Sequence, residues 1–229
     1  MNNRGLKALV FDAYGTLFDV LSVSSHCERL FPGHGKELAA LWRRKQLEYT
    51  WLRTVMRRYQ GFRSVTSDAL VYAAGNLNLE LTKEMESQLM NSYLHLATFP
   101  DVKQGLAQLK QINMRVAILS NGEPEMLAAT VENGGLSAWI DVILSVDALK
   151  LFKPDPAVYE QMAHALKLKK SEIGFVSANN WDIQGAGSAG FRTFWLQRSG
   201  SDTPEELGFP ADFHLKAITD LGSVISLEA

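Results

Sequence analysis

Four polar clusters in this chain stand where a strand gives way to a loop, and each carries side chains able to do chemistry. The first centres on Asp12. Residues 6–11 form a short apolar run with Lys7 as its only charge, and its length and flanks fit a buried parallel strand. Asp12 falls at the carboxyl tip of that strand, and Gly15 and Thr16 open a turn. The carboxylate therefore points into a loop, which in an open α/β sheet borders the ligand crevice. A carboxylate there serves as nucleophile, base or metal ligand, or it simply caps the turn.

The strand expected over 115–120 ends in Ser120-Asn121-Gly122. These are ordinary turn residues, and they also gather a hydroxyl, an amide and exposed backbone N–H groups suited to an anionic substrate head. Lys153 stands in Leu151-Phe152-Lys153-Pro154-Asp155, after the strand expected over 142–146. Read alone it is a solvated lysine, as most lysines are. The last cluster is Ser177-Ala178-Asn179-Asn180-Trp181-Asp182. His26, His34, His95, His164 and His214 show no ligand spacing and carry no assigned chemistry.

The elements that must position these residues follow from periodicity. Strands are expected over 6–11, 115–120, 142–146, 173–177 and 192–196. Helices are expected between them, over 102–111, 125–133, 157–166 and 182–189. This βα alternation predicts an α/β fold with a doubly wound, Rossmann-like parallel sheet. Between the first strand and Pro100 the pattern is helical throughout. Residues 22–30, 36–59, 67–76 and 82–96 read as helices, broken at Pro32-Gly33-His34-Gly35 and at Gly61-Phe62-Arg63-Ser64, with Thr82 as an N-cap. No strand is expected there. Residues 18–98 thus form an inserted helical-bundle cap on a core of residues 1–17 and 99–229. The tail after Ser199 is turn-rich and uninformative.

Length and composition narrow the classes. The chain has 229 residues, 46% hydrophobic and 21% charged, as in an ordinary soluble protein able to bury one core. A formal net charge of −2 offers no basic field for nucleic acid. Cys27 is the one cysteine, so no internal disulfide forms, which suits a cytoplasmic setting. The first residues lack a signal-peptide apolar region, and no apolar run reaches membrane-spanning length.

The stretch Phe11-Asp12-x-Tyr14-Gly15-Thr16-Leu17-Phe18-Asp19-Val20 resembles the first motif of the haloacid dehalogenase superfamily, in which an aspartate attacks the substrate. Ser120-Asn121-Gly122 and Lys153-Pro154 are similar to its second and third motifs. The fourth decides between subfamilies. Phosphatases of the superfamily carry Gly-Asp-x-x-x-Asp there and use the acids to hold magnesium. Here Ser177 and Ala178 replace the Gly-Asp pair and only Asp182 remains. Magnesium wants several oxygen ligands, so a methyl in place of a carboxylate weakens that site. Tyr14 stands where phosphatases keep a second aspartate as acid for an alkoxide leaving group. A halide leaves unprotonated. With residues 41–51 (LWRRKQLEYTW) and Ser177-x-Asn179-x-Trp181-Asp182, the chain resembles the L-2-haloacid dehalogenases from about residue 6 to about 198, cap included.

That resemblance implies hydrolysis of a small 2-haloalkanoate such as L-2-chloropropionate to a D-2-hydroxy acid and halide. Asp12 would attack with inversion to give an ester, and Lys153 would neutralise its charge. Thr16 would orient Asp12, and Ser120 with the N–H groups of Ala13 and Tyr14 would hold the substrate carboxylate. Arg43, Asn121 and Trp181 would receive the halide. Asp182 would activate water, organised by Lys153, Ser177 and Asn179. Tyr159 joins the catalytic set, and Leu47 and Phe62 the substrate-binding set. No metal or organic cofactor is implied, no membrane or nucleic acid is a partner, and a homodimer is expected. Two rivals remain: a magnesium-dependent phosphatase of the same superfamily, and a non-catalytic binding protein on its fold.

Overall fold

A computed structural model describes residues 5–199 and 203–226. Strand β1 (Ala8–Phe11) runs into a loop and then a two-residue strand, β2 (Phe18–Asp19). Helices α1 (Ser24–Leu30), α2 (Gly35–Val55), α3 (Phe62–Asn76) and α4 (Lys83–Ser92) follow, and β3 (Ala97–Thr98) returns antiparallel to β2. The chain then alternates: α5 (Val102–Gln111), β4 (Arg115–Ser120), α6 (Pro124–Asn133), β5 (Val142–Ser145), α7 (Pro156–Leu166), β6 (Ile173–Ser177), α8 (Asn180–Ser188), β7 (Arg192–Leu196), β8 (Phe213–Leu215) and α9 (Leu221–Ser226).

Six strands form one sheet in the order β5-β4-β1-β6-β7-β8, and all its pairings are parallel. Every residue of β1 and β6 is buried, as a sheet covered on both faces requires. The chain moves from β1 to β4 and β5 on one side, then to β6, β7 and β8 on the other. A reversal of this kind opens a crevice at the carboxyl ends of the strands beside it. Asp12, Ser120 and Ser177 all lie at that end.

Helix α2 packs against both α1 and α3. Its buried face carries Leu38, Ala39, Leu41 and Trp42 against Val65, Ala69, Leu70 and Ala73 of α3. Thr82 accepts from the Met85 N–H at 3.2 Å and so caps α4 as its sequence position suggests. No helix among the described residues is long and apolar enough to cross a membrane.

Several boundaries depart from expectation. The expected strand-free stretch 18–98 carries β2 and β3 at its two ends. Helix α2 stops at Val55, not at 59, because Arg57 takes a left-handed φ of 55° while Arg58 N–H donates back to Arg53. That stop usually falls to glycine. The expected break at 61–64 holds the first turn of α3, whose Arg63 N–H donates to Glu123 Oε2 at 3.0 Å. A carboxylate 60 residues away thus satisfies one of the free amides of that helix end. The tail after Ser199, expected to be uninformative, supplies β8 beside β7 and helix α9.

Candidate active site

The site starts from the end of β1. The Asp12 N–H still pairs with the Val176 carbonyl at 2.9 Å, so strand geometry fixes the backbone right up to that carboxylate. Gly15 then turns the chain with φ 93°, and a Cβ there would meet the Asn179 amide at 3.3 Å. Glycine satisfies both demands. The turn brings Thr16 back over Asp12. Its hydroxyl donates to Asp12 Oδ2 at 3.0 Å and accepts from the Ala178 N–H at 2.9 Å.

Asp12 is almost wholly buried and engaged on both oxygens. Asn179 Nδ2 donates to Oδ2 at 2.7 Å and Ser177 Oγ reaches the same atom at 3.4 Å. Oδ1 faces Lys153 Nζ at 3.0 Å. The same ammonium lies 2.9 Å from Asp182 Oδ2, and the Tyr159 hydroxyl donates to Asp182 Oδ1 at 2.6 Å. Lys153 and Asp182 are buried outright. Burial alone would push the Lys153 ammonium down in pKa, but the two carboxylates outweigh it and hold it above its ordinary value. Burial pushes the Asp182 carboxyl up to about 6, against the pull of Lys153 and the Tyr159 hydroxyl. Burial and the Asp182 charge hold the Tyr159 phenol well above its usual value. A cation between two desolvated carboxylates is stable only while all three remain together.

Ser120 and Asn121 come from the tip of β4, next to β1 in the sheet. Asn121 Oδ1 accepts from the Lys153 N–H at 3.0 Å, which fixes the amide of a residue that lines the cavity. Ser145 Oγ donates to the Gly122 carbonyl at 2.6 Å and pins this loop.

The opposite wall comes from α2 and α3. Arg43 Nη2 donates to the Tyr14 carbonyl at 3.1 Å and Nη1 to Gln46 Oε1 at 2.7 Å. Burial lowers the Arg43 pKa, because a desolvated guanidinium loses hydration. Phe62 stacks on Tyr14 with ring centroids 5.4 Å apart, and Trp181 meets Trp51 edge-on at 5.5 Å. Asp12, Tyr14, Arg43, Leu47, Phe62, Ser120, Asn121, Lys153 and Trp181 line one narrow cavity of about 10 Å³. Thr16, Ser177 and Asn179 bond Asp12 from the sheet side, and Tyr159 and Asp182 sit behind Lys153. Ala13 is buried at the start of the turn, where its carbonyl accepts from Leu17 and Phe18. All fifteen residues singled out in the sequence therefore fall in or directly against one site. Gln46, Thr66 and Trp51 also stand there and were not anticipated. The signal for Gln46 was its position three residues after Arg43, on the same helix face.

As chemistry, the arrangement offers a carboxylate at a strand tip, a lysine bridging it to a second carboxylate, and a guanidinium across the gap. Among known proteins, the profile of the haloacid dehalogenase-like hydrolases matches residues 6–190. The chain is 46% identical over 222 residues to (S)-2-haloacid dehalogenase from Pseudomonas sp. (strain YL), covering 97% of this chain and 94% of that one. It is 39% identical to haloacetate dehalogenase H-2 of Moraxella sp. (strain B), covering 98% of this chain and 100% of that one. Its fold superposes with a TM-score of 0.90, at 39% identity, on L-2-haloacid dehalogenase from Xanthobacter autotrophicus with chloropropionic acid covalently bound, covering 98% of this chain and 100% of that one. With its strand-tip aspartate, its bridging lysine and its helical wall all found in one chain of matching length, this protein belongs to the haloacid dehalogenase-like hydrolases, on the branch that holds the (S)-2-haloacid dehalogenases.

Proposed function

We propose that this chain hydrolyses short L-2-haloalkanoic acids to D-2-hydroxy acids through an ester on Asp12. The observation that carries the reading is Asp12 held between Lys153 and Asn179, with Arg43 lining the far side of the same cavity. A carboxylate oxygen attacks C2 from the face opposite the halogen, a C–O bond forms, and the carbon–halogen bond breaks with its electron pair leaving on the halide. The substrate carboxylate rests on Ser120 and the N–H groups of Ala13 and Tyr14. Arg43, Asn121 and Trp181 receive the halide as its charge grows. Water then attacks the ester carbonyl of Asp12 and gives its proton to Asp182, which returns one to the product hydroxyl. Lys153, Tyr159, Ser177 and Asn179 hold Asp182 and the water in place. The scheme uses no metal ion and no organic cofactor.

The phosphatase reading fits less well. Tyr14 replaces the acid an alkoxide needs, and Ala178 puts a methyl where a metal-binding carboxylate would stand. The binding-protein reading predicts a lost catalytic position, and each position the scheme needs is filled.

A cavity of about 10 Å³ holds about one water and no haloalkanoate. Residues 18–98 therefore act as a cap over a core of 1–17 and 99–229, lifting to admit substrate and closing to exclude water. Leu52, Val55 and Met56 at the end of α2 and Val71 and Tyr72 on α3 are exposed and apolar, which supports a homodimer. The lone cysteine, Cys27, is buried and unpaired, which supports a cytoplasmic setting. The test is chloride release from L-2-chloropropionate in EDTA, followed by one turnover in ¹⁸O-water. Label in the Asp12 carboxylate is expected; label in product alone defeats the ester scheme.

A further inference from the structure

Gln46 is wholly buried, yet polar, between α2 and α3. Its carbonyl oxygen accepts from Arg43 Nη1 at 2.7 Å and its nitrogen donates to Thr66 Oγ1 at 2.7 Å. The Thr66 hydroxyl spends its own proton on the Phe62 carbonyl, 2.7 Å away. It therefore has only lone pairs to offer Gln46. A flipped amide would set N–H against the guanidinium N–H and oxygen against the hydroxyl oxygen. The amide is thus locked with its oxygen toward Arg43, and the donors run in one direction from Arg43 through Gln46 and Thr66 to Phe62. Thr66 is itself pinned, since its carbonyl accepts from Trp42 Nε1 at 2.8 Å.

The second fixed contact of Arg43, the Tyr14 carbonyl, is also uncharged. Among the described residues no carboxylate forms an ion pair with Arg43. Arg43 is half-buried, and guanidinium groups drawn out of water are ordinarily paired. Glutamate has the same volume as glutamine and would pair with Arg43, drawing its charge away from the cavity.

We propose that Gln46 is a positioning residue which orients Arg43 through a neutral acceptor, and so reserves the guanidinium charge for the departing halide. The inference rests on the dehalogenase reading above. Chloride, the poorer leaving group, depends on that charge more than bromide does.

The test is turnover of L-2-chloropropionate and L-2-bromopropionate by the whole protein, with chloride as product inhibitor. Gln46→Glu is expected to lower kcat on the chloro acid about tenfold or more while KM moves less than about threefold. The bromo-to-chloro ratio should widen and chloride should inhibit more weakly. Gln46→Met, which removes the acceptor without adding charge, should fall between Gln46→Glu and the unaltered protein. Where either variant fails to fold, Thr66→Val should widen the ratio and Thr66→Ser should restore it. Equal losses on both acids with unchanged chloride inhibition, or full activity in Gln46→Glu, would overturn the proposal. Failure of the unaltered protein to release either halide would sink the dehalogenase reading and this inference with it.

Discussion

On the sheet side of the cavity Lys153 touches Asp12 at 3.0 Å and Asp182 at 2.9 Å, and each carboxylate has further donors on its remaining oxygen. On the helical side Arg43 touches one carbonyl and one amide, and its neighbours Leu47 and Phe62 are apolar. The first wall is a charged network in which no member can move alone. The second presents one cation on an otherwise greasy surface, joined to the first by few bonds. Rigid charge suits bond-making at carbon, where geometry must be set in advance. A sparse apolar wall suits repeated opening, because parting it strands few polar groups.

Substitutions can break this contrast. The largest effect is expected on the sheet side: Asp12→Asn should cut halide release by about 10⁴-fold or more, since no other group replaces the nucleophile. Halide titration after prolonged incubation checks it. Arg43→Gln should cost less, about 10²- to 10³-fold in kcat, as for loss of one charge-stabilising donor. Its penalty should be larger for chloride than for bromide. A loss equal to that of Asp12→Asn would mean the two walls act as one unit.

Tyr159→Phe sharpens the picture through pH. Asp182 must be ionised to take a proton, so kcat should rise through a limb near pH 6, the value to which burial pushes that carboxyl. Tyr159 donates to Asp182 and draws it down, so its loss should move the limb upward and lower kcat at neutral pH. The stability linkage has the opposite sign. The folded carboxyl binds its proton more tightly than the unfolded one at 3.8, so its contribution is full below that pH and is lost as pH climbs through about 6. Smallest of all is Tyr59→Phe on the helical side. Its hydroxyl donates to Asp147 Oδ1 at 2.7 Å across the seam between the walls, and losing it should change KM by about fivefold at most, the worth of roughly 1 kcal/mol. Steady-state kinetics reads that directly.

How far the sequence carried depends on how local each signal is. Asp12, Ser120 and Ser177 follow apolar runs that end abruptly, and a strand tip is a property of a few adjacent residues. The 21-residue helix that carries Arg43 gives a long periodic signal, while the place of Arg43 over Asp12 came only from the family resemblance. The end of that helix could not be placed, because Arg57 adopts a conformation that glycine normally announces. Phe62 began a helix unannounced, since the carboxylate at its end comes from Glu123. Strands β2 and β8 are two and three residues long, too short for any period. Gln46 looks like any polar helical residue until α3 is laid over it.

The short ribbon of β2 and β3 has a further meaning. Phe18 pairs with Thr98 and Asp19 with Ala97, and Phe99 N–H donates to Leu17 just below. Both leads of the helical segment are thus stitched to each other before they reach the sheet. A segment whose two ends are pinned together tolerates changes of length at small cost in loop entropy, without unthreading β1 or α5. Under the proposed scheme the segment also carries Arg43, so such changes reach the halide side of the cavity while Asp12, Lys153 and Asp182 keep their places.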